Sequence, residues 1–251
     1  MRTVILSIVL LFSFSFLGNS RDSLFLKGLD KMLEADFQKA QSDFLNDALK
    51  NPSFSSFYNL GIASGSLQEW SKAKWAFESA LKYKPLNGDA QYNAAFSTQK
   101  LSEDQVWSHP YPWMDRVLLG FGIDIWLIFV IITSVFLGLL VFNVTSKTKA
   151  NAKSPLKKWC VRLMIPAILL FAISFYGIYT TNKHFTQERF AIIKSDKTKF
   201  YIAPNGVEIR DEVDLGSRLI ILKFFKDKTW VQVKSQNNNL LWIKSEGLYT
   251  F

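Results

Sequence analysis

The groups able to do chemistry in this chain are few: two histidines, one cysteine and one carboxylate inside the longest apolar run. His109 and His184 sit beside aromatic or charged residues with no second ligand or acid–base partner at a motif spacing, so neither is expected to catalyse. Cys160 is alone, so the chain cannot build an internal disulfide framework. There is no P-loop, no His-Glu-x-x-His and no Cys pair, and Gly61-Ile62-Ala63-Ser64-Gly65 lacks the spacing of a nucleophile elbow. Asn143-Val144-Thr145 matches a glycosylation sequon but falls at the inner edge of an apolar run and is discounted. The expectation is a protein that is not an enzyme and has no cofactor and no metal. Asp124 is the exception, since a carboxylate inside a span is a functional hypothesis by default, here an intramembrane contact with a partner or an ion. Its alternative is a position near a helix N-terminus, where the dipole favours negative charge.

The elements that carry these residues begin with two charge-poor runs. Val117 to Val144 and Leu163 to Tyr179 are each long enough to cross a ~30 Å hydrocarbon core as a helix. Between them lie Lys147, Lys149, Lys153, Lys157, Lys158 and Arg162 with no acidic residue. Short basic loops stay cytoplasmic, which places the parts before and after the hairpin outside. The net charge of +9 is therefore mostly a topology signal and not a nucleic-acid footprint, because 21–116 is close to neutral. Trp107, Tyr111, Trp113, Trp126, Trp159, Tyr176 and Tyr179 cluster near the span ends and are expected as interfacial anchors. Residues 1–20, with Arg2, an apolar run from Val4 to Leu17 and Gly18-Asn19-Ser20, read as a secretory signal peptide, with an uncleaved anchor as the alternative.

From 21 to 107 the chain repeats itself at a step of 33: Gly28 to Gly61, Ala40 to Ala73, Phe44 to Phe77, Pro52 to Pro85. That period means stacked helical hairpins. Leu60-Gly61, then Ala73-x3-Phe77-x2-Ala80 and Pro85, resembles the tetratricopeptide repeat. Lys27 and Asp47 depart from the pattern, so the first copy is expected to be a degenerate end unit with a polar face turned to solvent. A third unit starts with Tyr92-Asn93-Ala94-Ala95 and lacks its second helix, which gives about two and a half repeats and five helices. The resemblance implies a peptide-binding face carrying Tyr58, Asn59, Ile62, Tyr92, Asn93 and Phe96. The two Asn would bond an extended backbone and the aromatics would cover its side chains. Ordinary inter-helix packing is the alternative for Tyr58, Tyr92 and Phe96.

From about Ala191 the pattern changes to short alternating runs. Five strands are expected, at 199–202, 207–210, 218–225, 229–234 and 240–244, with turns at Pro204-Asn205-Gly206, Asp214-Leu215-Gly216, Asp227-Lys228 and 237–239. In the fourth, Val231 and Val233 share one face and Trp230 takes the other. Val207-Glu208-Ile209-Arg210, the strand after Gly216, Trp230-Val231-x-Val233 and Trp242-Ile243 resemble the bacterial SH3-like domain, which often binds cell-wall peptide or proteins. The acidic Asp211, Glu212 and Asp214 depart from its usual loop.

The expected architecture is a multi-domain membrane protein: an α-helical tetratricopeptide-like array (21–107), a two-helix transmembrane hairpin (117–144 and 163–181, joined by the basic loop 145–162) and an all-β SH3-like barrel (191–251). This order is similar to that of the BatE-type proteins of the Bacteroides aerotolerance operon family. The resemblance implies a non-enzymatic scaffold in the bacterial inner membrane with both soluble domains periplasmic. Its implied partners are von Willebrand A-type Bat proteins, and its implied role is linked to oxygen or oxidative-stress tolerance. A cell-wall-binding sensor, with peptidoglycan held by the SH3-like domain, is the second reading.

Overall fold

The computed structural model describes residues 23–146, 155–187, 189–196, 198–209, 213–235 and 238–251. The expected signal peptide, residues 147–154 of the basic loop, and Arg210, Asp211 and Glu212 lie outside the described residues, while Lys157, Lys158 and Arg162, expected in that loop, lie on a helix that begins at Pro155.

The first five helices among the described residues are α1 (Ser23–Leu33), α2 (Phe37–Lys50), α3 (Phe54–Ser66), α4 (Trp70–Tyr83) and α5 (Gly88–Leu101). The step of 33 reappears in their geometry. A β-carbon on Gly28 would lie 2.7 Å from the Phe44 ring, and one on Gly61 would lie 2.6 Å from the Phe77 ring. The hairpin turns repeat as well. Ala35 and Gln68 both have positive φ, and Asp36 N–H donates to Lys31 O as Glu69 N–H donates to Ser64 O, each at 2.9 Å. These bonds close helix ends that would otherwise leave carbonyls unpaired. Helix starts are capped by Asp36, Ser53 and Asn87, whose side chains accept from the backbone three residues on.

The polar face expected on the first unit is present at Lys27, which is exposed, but not at Asp47. Asp47 is buried and accepts a hydrogen bond from the Ser56 hydroxyl of the next helix. A buried carboxylate is tolerable here because α3 supplies its donor. In place of a third second helix, residues 102–112 run back over the stack, and Trp107 packs against Ala73, Phe77 and Ala94.

Helices α6 (Trp113–Thr145) and α7 (Pro155–Thr186) are long and apolar enough to cross a membrane. The first is not one continuous span from 117 to 144: it breaks at Gly122, whose φ of 74° and ψ of 163° suit only glycine. Across the break, Trp126 Nε1–H donates to the Leu118 carbonyl at 2.8 Å. Trp126 is consequently buried against Gly177 of α7 and is not an interfacial anchor. From 123 to 145 the helix runs about 35 Å, enough for the hydrocarbon core.

The C-terminal part, expected as a five-stranded barrel, is an open, seven-stranded antiparallel sheet in the order β3-β2-β6-β5-β4-β1-β7. Its strands are β1 (Phe190–Ile193), β2 (Phe200–Tyr201), β3 (Glu208–Ile209), β4 (Arg218–Phe225), β5 (Trp230–Lys234), β6 (Leu240–Lys244) and β7 (Leu248–Thr250). Val231 and Val233 enter its core with Leu219, Leu241 and Ile243, while Trp230 lies edge-on to Tyr201 at 5.0 Å. Helix α4 packs against β1 and β7 at one edge of the sheet. Trp75 Nε1 donates to Thr250 O at 3.0 Å and the Trp75 ring stacks on Tyr249. Phe25, Trp75, Ile192 and Phe251 share one apolar cluster, so the helical array and the sheet have a common core. A buried ion pair crosses the same seam: Arg218 Nε and Nη2 each donate to Glu78 at 2.6 Å.

Candidate functional site

The residues expected on the binding face divide into a packed layer and an exposed one. Tyr58 stacks on Phe54 and stands edge-on to Phe77 at 5.6 Å, and Ile62 packs on the same Ala73, Phe77 and Ala94 cluster. For Tyr58 the packing alternative therefore describes its contacts, and Ile62, expected on the binding face, is packed as well. Burial, with the Asp89 carboxylate nearby, pushes the Tyr58 hydroxyl above its usual pKa, so it stays a neutral hydrogen-bonding group.

The two asparagines are partly committed. Asn93 Nδ2 donates to the Tyr58 hydroxyl at 3.1 Å, and Asn59 Nδ2 donates to Ser55 O on its own helix at 2.9 Å. Each side chain keeps one N–H and its carbonyl oxygen without a partner among the described residues, the pair of functions needed to bond a peptide unit.

Tyr92 and Phe96 form the exposed layer, 70% and 38% exposed and stacked with ring centroids 6.4 Å apart. Helical spacing of four residues places them on one face of α5. Two residues not singled out in the sequence join them: Trp70 stands edge-on to Phe96 at 5.8 Å, and the Lys100 ammonium lies 5.4 Å from its ring centre. Tyr92, Phe96 and Lys100 recur every four residues, a stripe that was visible in the sequence. Trp70 comes from the start of a different helix and had no such signal. A cavity of about 280 Å³ opens beside Phe96, bordered by Gln99, Lys100 and Glu103.

Asp124 is the second residue of the helix that restarts after Gly122, and it is exposed. That is the dipole-favoured position weighed for it from the sequence. Tyr111, expected at a membrane interface, is instead buried against His184 and Phe190. His109 has a structural role as well. Its Nδ1 accepts from Tyr111 N–H at 3.0 Å, which leaves Nε2–H to donate to Pro85 O at 2.9 Å. Burial holds its pKa below the ordinary value, with Arg116 and Arg218 adding to the effect.

His184 Nε2 lies 3.2 Å from Asp115 Oδ2 and 3.1 Å from Arg189 Nη1, tying α6, α7 and the entry to β1 together. Among the described residues no three His, Cys, Asp or Glu side chains gather as a metal site. The arrangement offers an exposed aromatic surface with unspent amide groups, suited to holding an extended polypeptide. Compared with protein-family models, with curated proteins and with solved structures, the chain matches none.

Proposed function

We propose that this protein is a membrane-anchored, non-enzymatic scaffold that recruits a polypeptide partner through its helical array. The observation that carries the reading is the Tyr92–Phe96 stack, extended by Trp70 and Lys100, left open on a helix whose other face is packed. Exposed aromatics beside polar groups with free valences are typical of interface centres. In this reading the array is of the tetratricopeptide kind, its duplicated Gly–Phe contacts being the wedges between hairpins. The sheet is a variant of the SH3-like domain. The family resemblance supplies the rest of the proposal: an inner-membrane protein with both soluble parts periplasmic, von Willebrand A-type partners, and a role in aerotolerance.

The test is a photo-crosslinking residue at Tyr92 in intact cells. A crosslinked von Willebrand A-type protein, lost when Tyr92→Ala and Phe96→Ala are combined in an otherwise folded chain, is the expected result. Undiminished capture by the double variant would reject this face as the contact.

A further inference from the structure

Lys74 lies on α4, four residues before Glu78, and is only 4% exposed. Its natural partner is already taken. Glu78 is fully buried, and its oxygens accept from Arg218 Nε, Arg218 Nη2 and Trp107 Nε1 at 2.6, 2.6 and 2.9 Å. Among the described residues Lys74 has neither a hydrogen bond nor an ion pair. Arg218 is also incompletely used: Nε and Nη2 serve Glu78 and the Ser108 carbonyl, which leaves both N–H groups of Nη1 without a partner among those residues. An unpaired cation with so little access to water is costly to retain unless something answers its charge.

Both groups line one cavity of about 180 Å³ between α4, the segment 104–108 and the start of β4. Thr98, Gln105 and Trp107 form its walls, and Asp104 is exposed at its rim. We propose that this cavity binds a singly charged carboxylate, with Lys74 as its counter-ion and Arg218 Nη1 as a second donor. The volume exceeds a single water's share of about 30 Å³ several-fold, so a carboxylate with a short carbon stem fits.

The charges set the valence. Arg218 and Glu78 cancel, Lys74 is left over, and Asp104 faces the mouth; one negative charge is matched and a second is repelled. The paired groups also fix the geometry, because the Glu78 bonds hold the guanidinium plane before any ligand arrives. Burial moves the Lys74 pKa down, opposed by Glu78 and assisted by Arg218. A bound carboxylate reverses that shift by stabilising the ammonium form. This site is on the seam between array and sheet and is independent of the Tyr92 face.

The experiment is isothermal titration of the full-length protein in detergent with four probes: acetate, N-acetylglycylglycine, its C-terminal amide, and inorganic phosphate. Saturable binding of the two carboxylates and none of the amide is expected, with phosphate weaker than acetate. A tighter dipeptide identifies peptide C-termini as the source, while equal affinities identify free small carboxylates. Lys74→Met should weaken acetate at least tenfold with an unchanged helical circular dichroism signal, and Asp104→Asn should strengthen it several-fold. Asp104 is exposed, so that variant stays informative even where Lys74→Met does not fold. Absence of saturable acetate binding, phosphate bound more tightly than acetate, or an unchanged affinity in Asp104→Asn would each overturn the proposal.

Discussion

Gly28 and Gly61 have no room for a side chain, because Phe44 and Phe77 already occupy the space where a β-carbon would go. The two rings are themselves buried, so neither can swing aside without disturbing the core. Gly61→Ala should destabilise the protein by about 1–3 kcal/mol through overpacking, measured by denaturant unfolding. Phe77→Leu in the same chain should return part of that loss, since contacting residues do not act additively. This contact was readable from sequence as a duplicated Gly–Phe pair at constant spacing. The burial of Asp47 was not, because its donor Ser56 belongs to the following helix and pairwise chemistry across helices leaves no period to read.

His109 gives the residue-scale pH prediction. Its folded pKa lies below the ordinary 6.5, so on acidification the unfolded chain takes up a proton before the folded one does. Stability from this group is therefore complete above pH 6.5 and is lost as pH falls below it. Urea midpoints should decline from pH 7.5 to 5.5, and His109→Asn should reduce that decline. An identical slope in the variant would remove His109 as the cause.

Among the elements, α6 depends on a single backbone conformation. The φ and ψ of Gly122 strain any L side chain, and the Trp126–Leu118 bond across the break exists only while the break does. Gly122→Ala should lower the thermal midpoint in detergent through strain of the order of 1–3 kcal/mol. Trp126→Phe keeps a ring against Gly177 but loses the hydrogen bond, so it should cost less, about 1 kcal/mol. The reverse ranking would show that ring packing, not the break, holds this end of the hairpin. Gly122 and Gly138 both have open space beside them, and only the neighbouring Gly120 and Asp124 set Gly122 apart in the sequence. The break was thus invisible to periodicity.

The strands show the same division. β4, β5 and β6 were legible because turn residues with positive φ, Gly216, Asp227 and Asn238, bracket them. β1 was missed because Phe-Ala-Ile-Ile follows a helix without a turn signal and alternates on neither face. β7 was missed because it has three residues and is defined by its partner β1.

At the scale of the molecule, the array and the sheet behave as one body because their contacts are reciprocal. Trp75 hydrogen-bonds to Thr250, Glu78 binds Arg218, and Ser71 donates to the Ile193 carbonyl. Arg218→Met would leave Glu78 charged, buried and short of donors, an expected loss of about 3–5 kcal/mol. If the two parts share a core, far-ultraviolet dichroism of the helices and the fluorine resonances of fluorotryptophan at Trp230 and Trp242 of the sheet should lose signal in coincident transitions, both shifted by this variant. Two separated transitions, with only one shifted, would mean that array and sheet fold independently.

The same seam constrains topology. The array enters α6, α7 leads into β1, and array and sheet touch directly, so a bilayer around the hairpin cannot pass between them. Whatever side one occupies, the other must share. In a Cys160→Ser background, Ser66→Cys and Val207→Cys are single exposed thiols, one on each part. Both should react with an impermeant maleimide at the same stage, before the inner membrane is opened if the basic loop is cytoplasmic. Labelling of one before and the other after permeabilisation would break the shared core and the hairpin together. Labelling of both only after permeabilisation would keep the core and invert the orientation.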